Sequence, residues 1–471
     1  MSVLVVLGGF RRAPKVRGFP MEPYGTAAEV RYRLPVVTLA IIAVNVVIYL
    51  ATSYRNGFLS IDEGWLYGGG FIPALFIHNP VNAYRIATSM FLHADILHIF
   101  FNMYFLYIFG KGVENTIGHL RFLALYLVSG FFATIFHTAF SMLQGVEALA
   151  IPAIGASGAI SGVLGAYLML YPGTSLTACW FFLYFPFCFT MRAAYYLLFW
   201  FATQVIYGYA RLGASIAFFA HAGGFVAGIA VLPVVASRAR IYVLKMRSAA
   251  GRVFDFITFG YREPREGLPR AAKAILALLI ATLLVGAAYS VAQAALARHT
   301  GMYVASVTLS RGVEEVTDNV VLKVVDNSIK PATVVNPDTR VLFNRLWYAG
   351  LLLSRDYAGR EVEVSGEVVS AEICGVKVPV YIERFKGVYD SKGLLVRGSG
   401  SIASRVVQVT YVRGVCIGRV GEEVSYTFNL NRSEEIRPAE GVALTALVSL
   451  AAALTALYSV TKKDRELVIV S

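Results

Sequence analysis

The sequence predicts an α-helical polytopic membrane protein, with a six-helix core and two further transmembrane helices that flank a mostly β domain. Of its 471 residues, 57% are hydrophobic and only 15% are charged, which is too apolar for an ordinary soluble enzyme. Eight apolar segments are long enough, or nearly so, to cross ~30 Å of hydrocarbon as helices. Between residues 298 and 440 an alternation of polar and apolar residues replaces this pattern.

The eight segments follow one another in two groups. Six are predicted at about Pro35–Ser53, Ala94–Gly110, Leu120–Leu143, Ala156–Tyr171, Ala178–Tyr209 and Ile216–Ala236, and two at 274–297 and 441–460. The fourth span is short and rich in glycine, so we expect its N-terminus below the membrane surface. The fifth combines an aromatic interfacial segment with a span and is broken near Pro186.

Basic residues in short flanking loops set the orientation, because such loops stay cytoplasmic. Clusters lie before span one, between spans two and three, after span six and after span eight, all on one side when eight spans alternate. We therefore expect a multi-pass protein of the cell membrane with both termini in the cytoplasm. The expected domains are a cytoplasmic segment 1–33, a six-helix core 34–236, a basic cytoplasmic linker 237–273, helix seven at 274–297, an extracytoplasmic mostly β domain 298–440, helix eight at 441–460 and a cytoplasmic tail 461–471.

Charge and cysteine content exclude several classes of protein. The net charge of +13 comes largely from clusters beside apolar spans, so it does not predict nucleic-acid binding. Four cysteines are too few for a disulfide scaffold and lack metal-ligand spacing, and His93, Asp95 and His98 form no HExxH pattern. We expect neither a metal nor a cofactor. The first residues lack the basic start and cleavage site of a cleaved signal peptide.

The 298–440 segment reads as strands half buried in a sheet. Alternation is clearest at 361–368, 406–412 and 424–428, and 340–354 is predicted as a helix packed on the sheet. Cys374 and Cys416 are each predicted to sit in such a strand. They could form a disulfide in an oxidising compartment or remain two buried thiols, since the sequence does not give their separation.

Polar residues in apolar spans are costly and therefore mark functional candidates. Span two carries His98 and Asn102 on one helical face, with His93 nearer the outer surface. Span four begins with Ser157 among small residues, and span six carries His221. Taken singly, a Ser-Gly pair is more typical of helix packing, and Ser161 is expected to bond back to its own helix.

Small residues indicate how spans four and six meet. They recur every four residues, as Gly158, Gly162 and Ala166 in span four and as Ala220, Gly224 and Gly228 in span six. Such faces let two helices approach backbone to backbone, so Ser157 and His221 should lie at similar depth within hydrogen-bonding range. A serine needs such a base to become a nucleophile. The helix start at Ser157 would favour a developing oxyanion, and His98 and Asn102 could add donors to it.

Together these motifs resemble the rhomboid family of intramembrane serine proteases over residues 30–236. The matching residues are His93, His98 and Asn102 in span two, Gly155, Ser157 and Gly158 at span four, Ala220, His221, Gly224 and Gly228 in span six, Arg85 in the first outer loop, and Gly110 and Glu114 in the turn after span two. From residue types alone, Glu114 is expected to end span two by bonding exposed backbone groups in a cytoplasmic loop. Ser161 departs from the family, because some relatives carry there a tyrosine that packs on the catalytic histidine.

The resemblance implies a six-helix core that cuts membrane-spanning protein substrates near small, helix-weakening residues. Ser157 would be the nucleophile and His221 the base of a dyad without an acidic third member. His98, Asn102 and the Ser157 N–H would form the oxyanion hole, and His93 would be a supporting hydrogen-bonding residue. The alternatives are a proteolytically inactive relative that acts as a membrane chaperone or scaffold, and a transporter or channel. The resemblance leaves the β domain and the oligomeric state unexplained.

Overall fold

A computed structural model describes residues 34–182, 185–212, 216–246, 267–297, 299–325, 328–412 and 415–469. The basic segment 1–33 and residues 247–266 of the basic linker lie outside the described residues.

Eight helices correspond to the eight predicted spans. They are α1 Val36–Ser53, α2 Ile96–Ile117, α3 His119–Ala139, α4 Ser157–Leu170, α5 Ala193–Tyr209, α6 Phe218–Val235, α7 Arg270–Leu296 and α8 Pro438–Tyr458. Within the described residues, α1, α2, α3, α6, α7 and the helix that continues α8 to Leu467 are long and apolar enough to cross a membrane. α4 has 14 residues and is therefore only ~21 Å long, less than the hydrocarbon thickness.

Two predicted boundaries were wrong. α2 continues to Ile117, beyond the predicted end at Gly110, so Glu114 lies inside the helix and not in a loop. The segment before α5 is an antiparallel hairpin of β1 Ser175–Phe182 and β2 Phe185–Arg192, and Pro186 belongs to β2. A two-stranded ribbon leaves one edge unpaired, so it tolerates a proline that cannot donate a hydrogen bond.

Short helices fill the two connections at the end of the bundle where α4 begins. The α1–α2 connection contains Glu63–Gly69, Pro73–His78 and Tyr84–Ser89, and the α3–α4 connection contains Ser141–Gln144 and the 3-10 turn Val146–Ala150. We call residues 145–156 the serine loop, because this segment leads directly into α4.

α7 and α8 pack against the six-helix core. Gly286 of α7 receives the hydroxyl end of Tyr209 from α5, and the Tyr209 hydroxyl donates to the Thr282 carbonyl at 2.5 Å. Near the other end of the bundle, Asp464 beyond α8 accepts from the Leu268 N–H at 2.9 Å and pairs with Lys273 at 2.6 Å. Ala446, Ala452, Ala453 and Ala456 of α8 lie in the same buried apolar cluster as the six-helix core, so both additional helices pack against that core.

The segment between α7 and α8 is a β-rich domain with an eight-stranded antiparallel sheet. The strands are β3 Met302–Arg311, β4 Glu314–Val325, β5 Ser328–Thr333, β6 Glu361–Val364, β7 Glu367–Ile373, β8 Val376–Tyr389, β9 Leu395–Val412 and β10 Val415–Glu435. Their order is β5-β4-β3-β10-β9-β8-β6, and β7 also pairs with β8. The first and last strands, β3 and β10, are neighbours, so the chain enters and leaves the domain at one place.

Several local predictions for this domain needed correction. The alternating stretch 361–368 is split between β6 and β7 by Gly366, whose φ of +70° breaks an extended strand. The helix spans Pro337–Tyr348 and not 340–354, because Asn336 caps it at an earlier start. Cys374 lies in the turn between β7 and β8, not in a strand, with φ +50°. It is disulfide-bonded, but the side chain of Cys416 lies outside the described residues, so their pairing stays a prediction.

The β domain docks on the end of the bundle where α4 begins. An apolar cluster joins Leu149 and Ala150 of the serine loop to Met302, Val304 and Val321 of the sheet. Ion pairs flank this cluster, with Lys323 at 2.6 Å from Glu147 and Arg340 at 2.6 Å from Glu63. The serine loop is thereby held between the helical core and the sheet.

Candidate active site

Ser157 and His221 meet at the starts of α4 and α6. The His221 Nε2 lies 2.8 Å from the Ser157 Oγ, a hydrogen bond between residues 64 positions apart. Both side chains line a cavity of about 350 Å³ and remain partly exposed in it. A hydroxyl bonded to an imidazole and open to a cavity has the geometry of an activated nucleophile.

Glycines bring the two helices together, as their spacing predicted. A Cβ added to Gly224 would lie 1.9 Å from the Gly158 carbonyl oxygen, and one added to Gly228 would lie 1.9 Å from the Gly162 carbonyl oxygen. Any side chain at either position would separate α6 from α4. The backbone contact therefore fixes the distance at which His221 meets Ser157.

A third polar residue, Gln204 of α5, completes the surroundings of His221. The His221 Nδ1 donates to the Gln204 Oε1 at 2.9 Å, and Gln204 is only 8% exposed. Ser161 donates to the Ser157 carbonyl at 2.6 Å, so it bonds back to its own helix as expected.

His98 faces the same cavity with a defined tautomer. The Ala94 N–H donates to the His98 Nδ1 at 3.3 Å, so the ring proton resides on Nε2. Gly155 separates this Nε2 from the nucleophile, since a Cβ there would lie 2.8 Å from the His98 Nε2 and 3.5 Å from the Ser157 Oγ. With φ +121° and no side chain, Gly155 leaves space between an N–H donor and the serine.

The other predicted donors bond elsewhere. The Asn102 amide donates to the His98 carbonyl of its own helix at 2.8 Å, and Asn102 is not among the residues that line the cavity. His93 is fully buried, and its Nε2 accepts from the Ala156 N–H at 3.5 Å. His93 thus supports the residue that precedes Ser157.

Arg85 and Glu114 do not line the cavity, and each forms hydrogen bonds with backbone groups elsewhere in the helical core. Arg85 is buried and donates to the carbonyls of Tyr67 and Gly70, which ties the α1–α2 connection together. Glu114 accepts from the N–H groups of Val37 and Thr38 at 2.9 and 2.8 Å. It therefore caps the start of α1 and does not, as had been predicted, end span two. The carboxylate does bind free backbone N–H groups, as expected, but these belong to another helix.

Two polar residues near Ser157 and His221 escaped the sequence analysis. Gln204 contacts His221, and His137 of α3 lines the cavity with an Nε2 that has no hydrogen-bond partner among the described residues. Both are polar side chains in apolar spans, so the rule that selected His98 and His221 would have found them. Among the described residues no group of three or more His, Cys, Asp or Glu side chains could hold a metal ion.

Comparison with known proteins matches this arrangement to one family. A family model described as a Rhomboid domain matches residues 80–238, which contain α2 through α6 and every cavity-lining residue. Residues 80–238 of this chain are a rhomboid domain. The chain is a polytopic helical membrane protein in which this domain is followed by a large β-rich domain.

Similar rhomboid proteins include both active and inactive members. The chain is 38% identical to the mitochondrial RHOMBOID-like protein 6 of Arabidopsis thaliana over 85 residues, which cover 18% of this chain and 25% of the relative. It is 40% identical to the Rhomboid protease GluP of Bacillus subtilis over 85 residues, 18% of this chain and 15% of GluP. It is 30% identical to the Inactive rhomboid protein 1 of Drosophila melanogaster over 101 residues, 21% of this chain and 7% of that protein. The matches thus span a quarter or less of each of these relatives.

Proposed function

We propose that this protein is an intramembrane serine endopeptidase that cleaves membrane-spanning protein substrates. The hydrogen bond between the Ser157 Oγ and the His221 Nε2 is the observation that carries this proposal. The proteolytically inactive alternative lacks such support, because both groups are present and bonded in a cavity.

In the proposed reaction, the Ser157 Oγ attacks the carbonyl carbon of the scissile peptide bond as its proton passes to the His221 Nε2. The tetrahedral intermediate collapses when the C–N bond breaks and His221 returns the proton to the leaving amine. Water then attacks the carbonyl carbon of the ester on Ser157 as the His221 Nε2 takes a proton from it. The bond between this carbon and the Ser157 Oγ breaks as His221 returns the proton to the Oγ, which releases the new carboxylic acid. No residue changes its net state over the cycle.

The developing oxyanion would lie in the space beside Gly155. The His98 Nε2–H borders this space, and the first N–H groups of α4 have no acceptor within the helix. Both are fixed before substrate arrives, so they stabilise charge without reorganisation. Asn102 would join them only if its amide left the His98 carbonyl.

The membrane arrangement is part of the proposal. We propose that both termini and the linker 237–273 are cytoplasmic, that 274–297 and 441–460 cross the cell membrane, and that 298–440 lies outside the cytoplasm. The docking of the β domain on the serine loop supports a place on the side from which Ser157 is reached. From there the domain would hold the loop and limit access of non-substrates to the cavity.

The test is cleavage of single-span model substrates by the purified protein in liposomes. Wild type is expected to cut, and both Ser157→Ala and His221→Ala are expected to lose activity by about 10⁴-fold or more. Equal cleavage by the three proteins, or no cleavage by wild type of any substrate in a panel with helix-weakening residues, would refute the proposal.

A further inference from the structure

We propose that Gln204 is a positioning residue that sets the tautomer of His221. Ser157, His221 and Gln204 would then form a hydrogen-bonded triad whose third member is neutral. This inference rests on the proposed proteolytic function. It begins with the 2.9 Å hydrogen bond between the His221 Nδ1 and the Gln204 Oε1. An amide oxygen only accepts, so the Nδ1 must carry the proton.

The orientation of the Gln204 amide is itself fixed. Its Nε2 donates to the Thr203 Oγ1 at 3.2 Å and to the Trp200 carbonyl at 3.4 Å, while the Thr203 hydroxyl donates to the same carbonyl at 2.6 Å. A flipped amide would present its oxygen to a carbonyl oxygen and an NH₂ group to the imidazole. The local bonds of α5 therefore keep the acceptor atom on the His221 side.

The tautomer decides whether His221 can act as the base. With the proton on Nδ1, the Nε2 lone pair points to the Ser157 Oγ at 2.8 Å and can receive its proton. With the proton on Nε2, the imidazole would donate to the serine and could not activate it. Gln204 favours the competent form before substrate binds and remains an acceptor for the imidazolium during the reaction.

A neutral third member suits the position. Gln204 is 8% exposed on a helix of apolar residues, where burial of a carboxylate would cost far more than burial of a hydrogen-bonded amide. Every polar atom of the Gln204 side chain has a partner in this arrangement. The residue thus orients the base at low desolvation cost.

Steady-state cleavage by Gln204 variants separates positioning from packing. Gln204→Leu keeps a branched side chain that is one atom shorter and removes the acceptor, so kcat should fall by about 10-fold to 100-fold, part of what a positioned base contributes, while KM stays unchanged. Gln204→Glu keeps an acceptor oxygen in either protonation state and should restore most of kcat. Gln293→Leu in α7 is the matched control and should behave as wild type.

Nitrogen-15 NMR of labelled histidine provides a readout that does not depend on catalysis, with His221→Ala used to assign the signal. Wild type should show His221 with its proton on Nδ1, and Gln204→Leu should show a mixture of tautomers. If wild type cleaves but Gln204→Leu has wild-type kcat and an unchanged His221 signal, the inference is overturned and the proposed function stands. If wild type neither cleaves nor shows the Nδ1 proton, both fail.

Discussion

His98 and His221 occupy one cavity with opposite tautomers. The His98 Nδ1 accepts from the Ala94 N–H, so its Nε2 is a donor, whereas the His221 Nδ1 donates to Gln204, so its Nε2 is an acceptor. Neighbouring groups therefore leave one histidine with a hydrogen-bond donor and the other with an acceptor on its Nε2. Two residues of the same type acquire different chemistry from one backbone amide and one side-chain amide.

Replacement of His98 should affect the rate and not substrate binding. His98→Ala removes a fixed donor beside Gly155, and loss of one oxyanion donor costs about 10²- to 10³-fold in kcat. We expect KM to change little, because the donor acts on charge that develops after binding. Steady-state cleavage of a model substrate measures both constants. An increase in KM with unchanged kcat would assign His98 to substrate binding instead.

At this scale the sequence predicted that Ser157 and His221 would meet, but it did not predict Gln204 on the far side of the imidazole. Ser157 and His221 follow from glycine spacing, which sets helix contact and depth together. The place of Gln204 depends on the rotation of α5 about its axis. That rotation follows from the packing of α5 against α6. It could not be derived from the sequence, which also placed the start of α5 incorrectly.

Backbone contact between α4 and α6 is the element-level feature on which the site depends. Gly224 contacts the Gly158 carbonyl, and Gly228 contacts the Gly162 carbonyl. In lipid such contacts gain dispersion energy that larger residues would prevent.

The addition of one methyl group should therefore be more destabilising at this helix crossing than at other helical glycines. Gly224→Ala is expected to destabilise the folded protein by about 1–3 kcal/mol through overpacking and to reduce cleavage as His221 moves from Ser157. The control is Gly112→Ala in α2, where the new Cβ would meet side-chain ring atoms and no backbone, at 3.3 Å from Tyr167 and 3.9 Å from Tyr171. Unfolding in mixed micelles measures both variants. Equal stability of Gly224→Ala and wild type would contradict the backbone contact.

The element-level errors have physical causes. A short apolar run fits a strand as well as a helix, and the pairing that makes Ser175–Arg192 a hairpin is a tertiary property. α2 continues beyond its apolar stretch because the carboxylate of Glu114 accepts hydrogen bonds from the free N–H groups of α1. In both cases hydrogen bonds to another segment of the chain override the local pattern.

At the scale of the whole molecule, the serine loop joins the two domains. Ala148 and Ile151 of this loop line the cavity, while Glu147 and Leu149 contact the β domain. The loop enters α4 directly, so the position of the β domain bears on the position of Ser157. The alternation of polar and apolar residues predicted a mostly β domain at 298–440, but the strand order and the docking surface depend on pairings across more than 100 residues.

Reversal of one interface charge should increase amide hydrogen exchange in the serine loop, and reversal of both charges should restore it. Lys323→Glu replaces attraction to Glu147 with repulsion, and an exposed pair contributes about 0.5–1 kcal/mol, so amide exchange in residues 145–151 should rise about twofold to fivefold. The double variant Lys323→Glu, Glu147→Lys should return exchange to the wild-type rate. Hydrogen–deuterium exchange measures this difference, and a loop unaffected by either change would contradict the coupling.

The same contact predicts a pH dependence. The hydrogen bond from Lys323 lowers the pKa of Glu147 below its ordinary value of 4.5. A lowered carboxyl pKa means that the contact stabilises the protein above that ordinary value and is lost as pH falls through the lowered pKa. After correction for intrinsic exchange, the difference in amide exchange rate between wild type and Lys323→Glu should disappear in acid. A difference that does not change with pH would exclude ionised Glu147 as its cause.

Labelling by a serine-directed fluorophosphonate tests the central claim, activation of Ser157 by His221, without requiring a known substrate. Mass spectrometry should find a single adduct on Ser157 in wild type. His221→Ala should label at least about 100-fold more slowly, as expected for loss of a general base. No adduct on Ser157 in wild type, or equal rates in wild type and His221→Ala, would contradict the account.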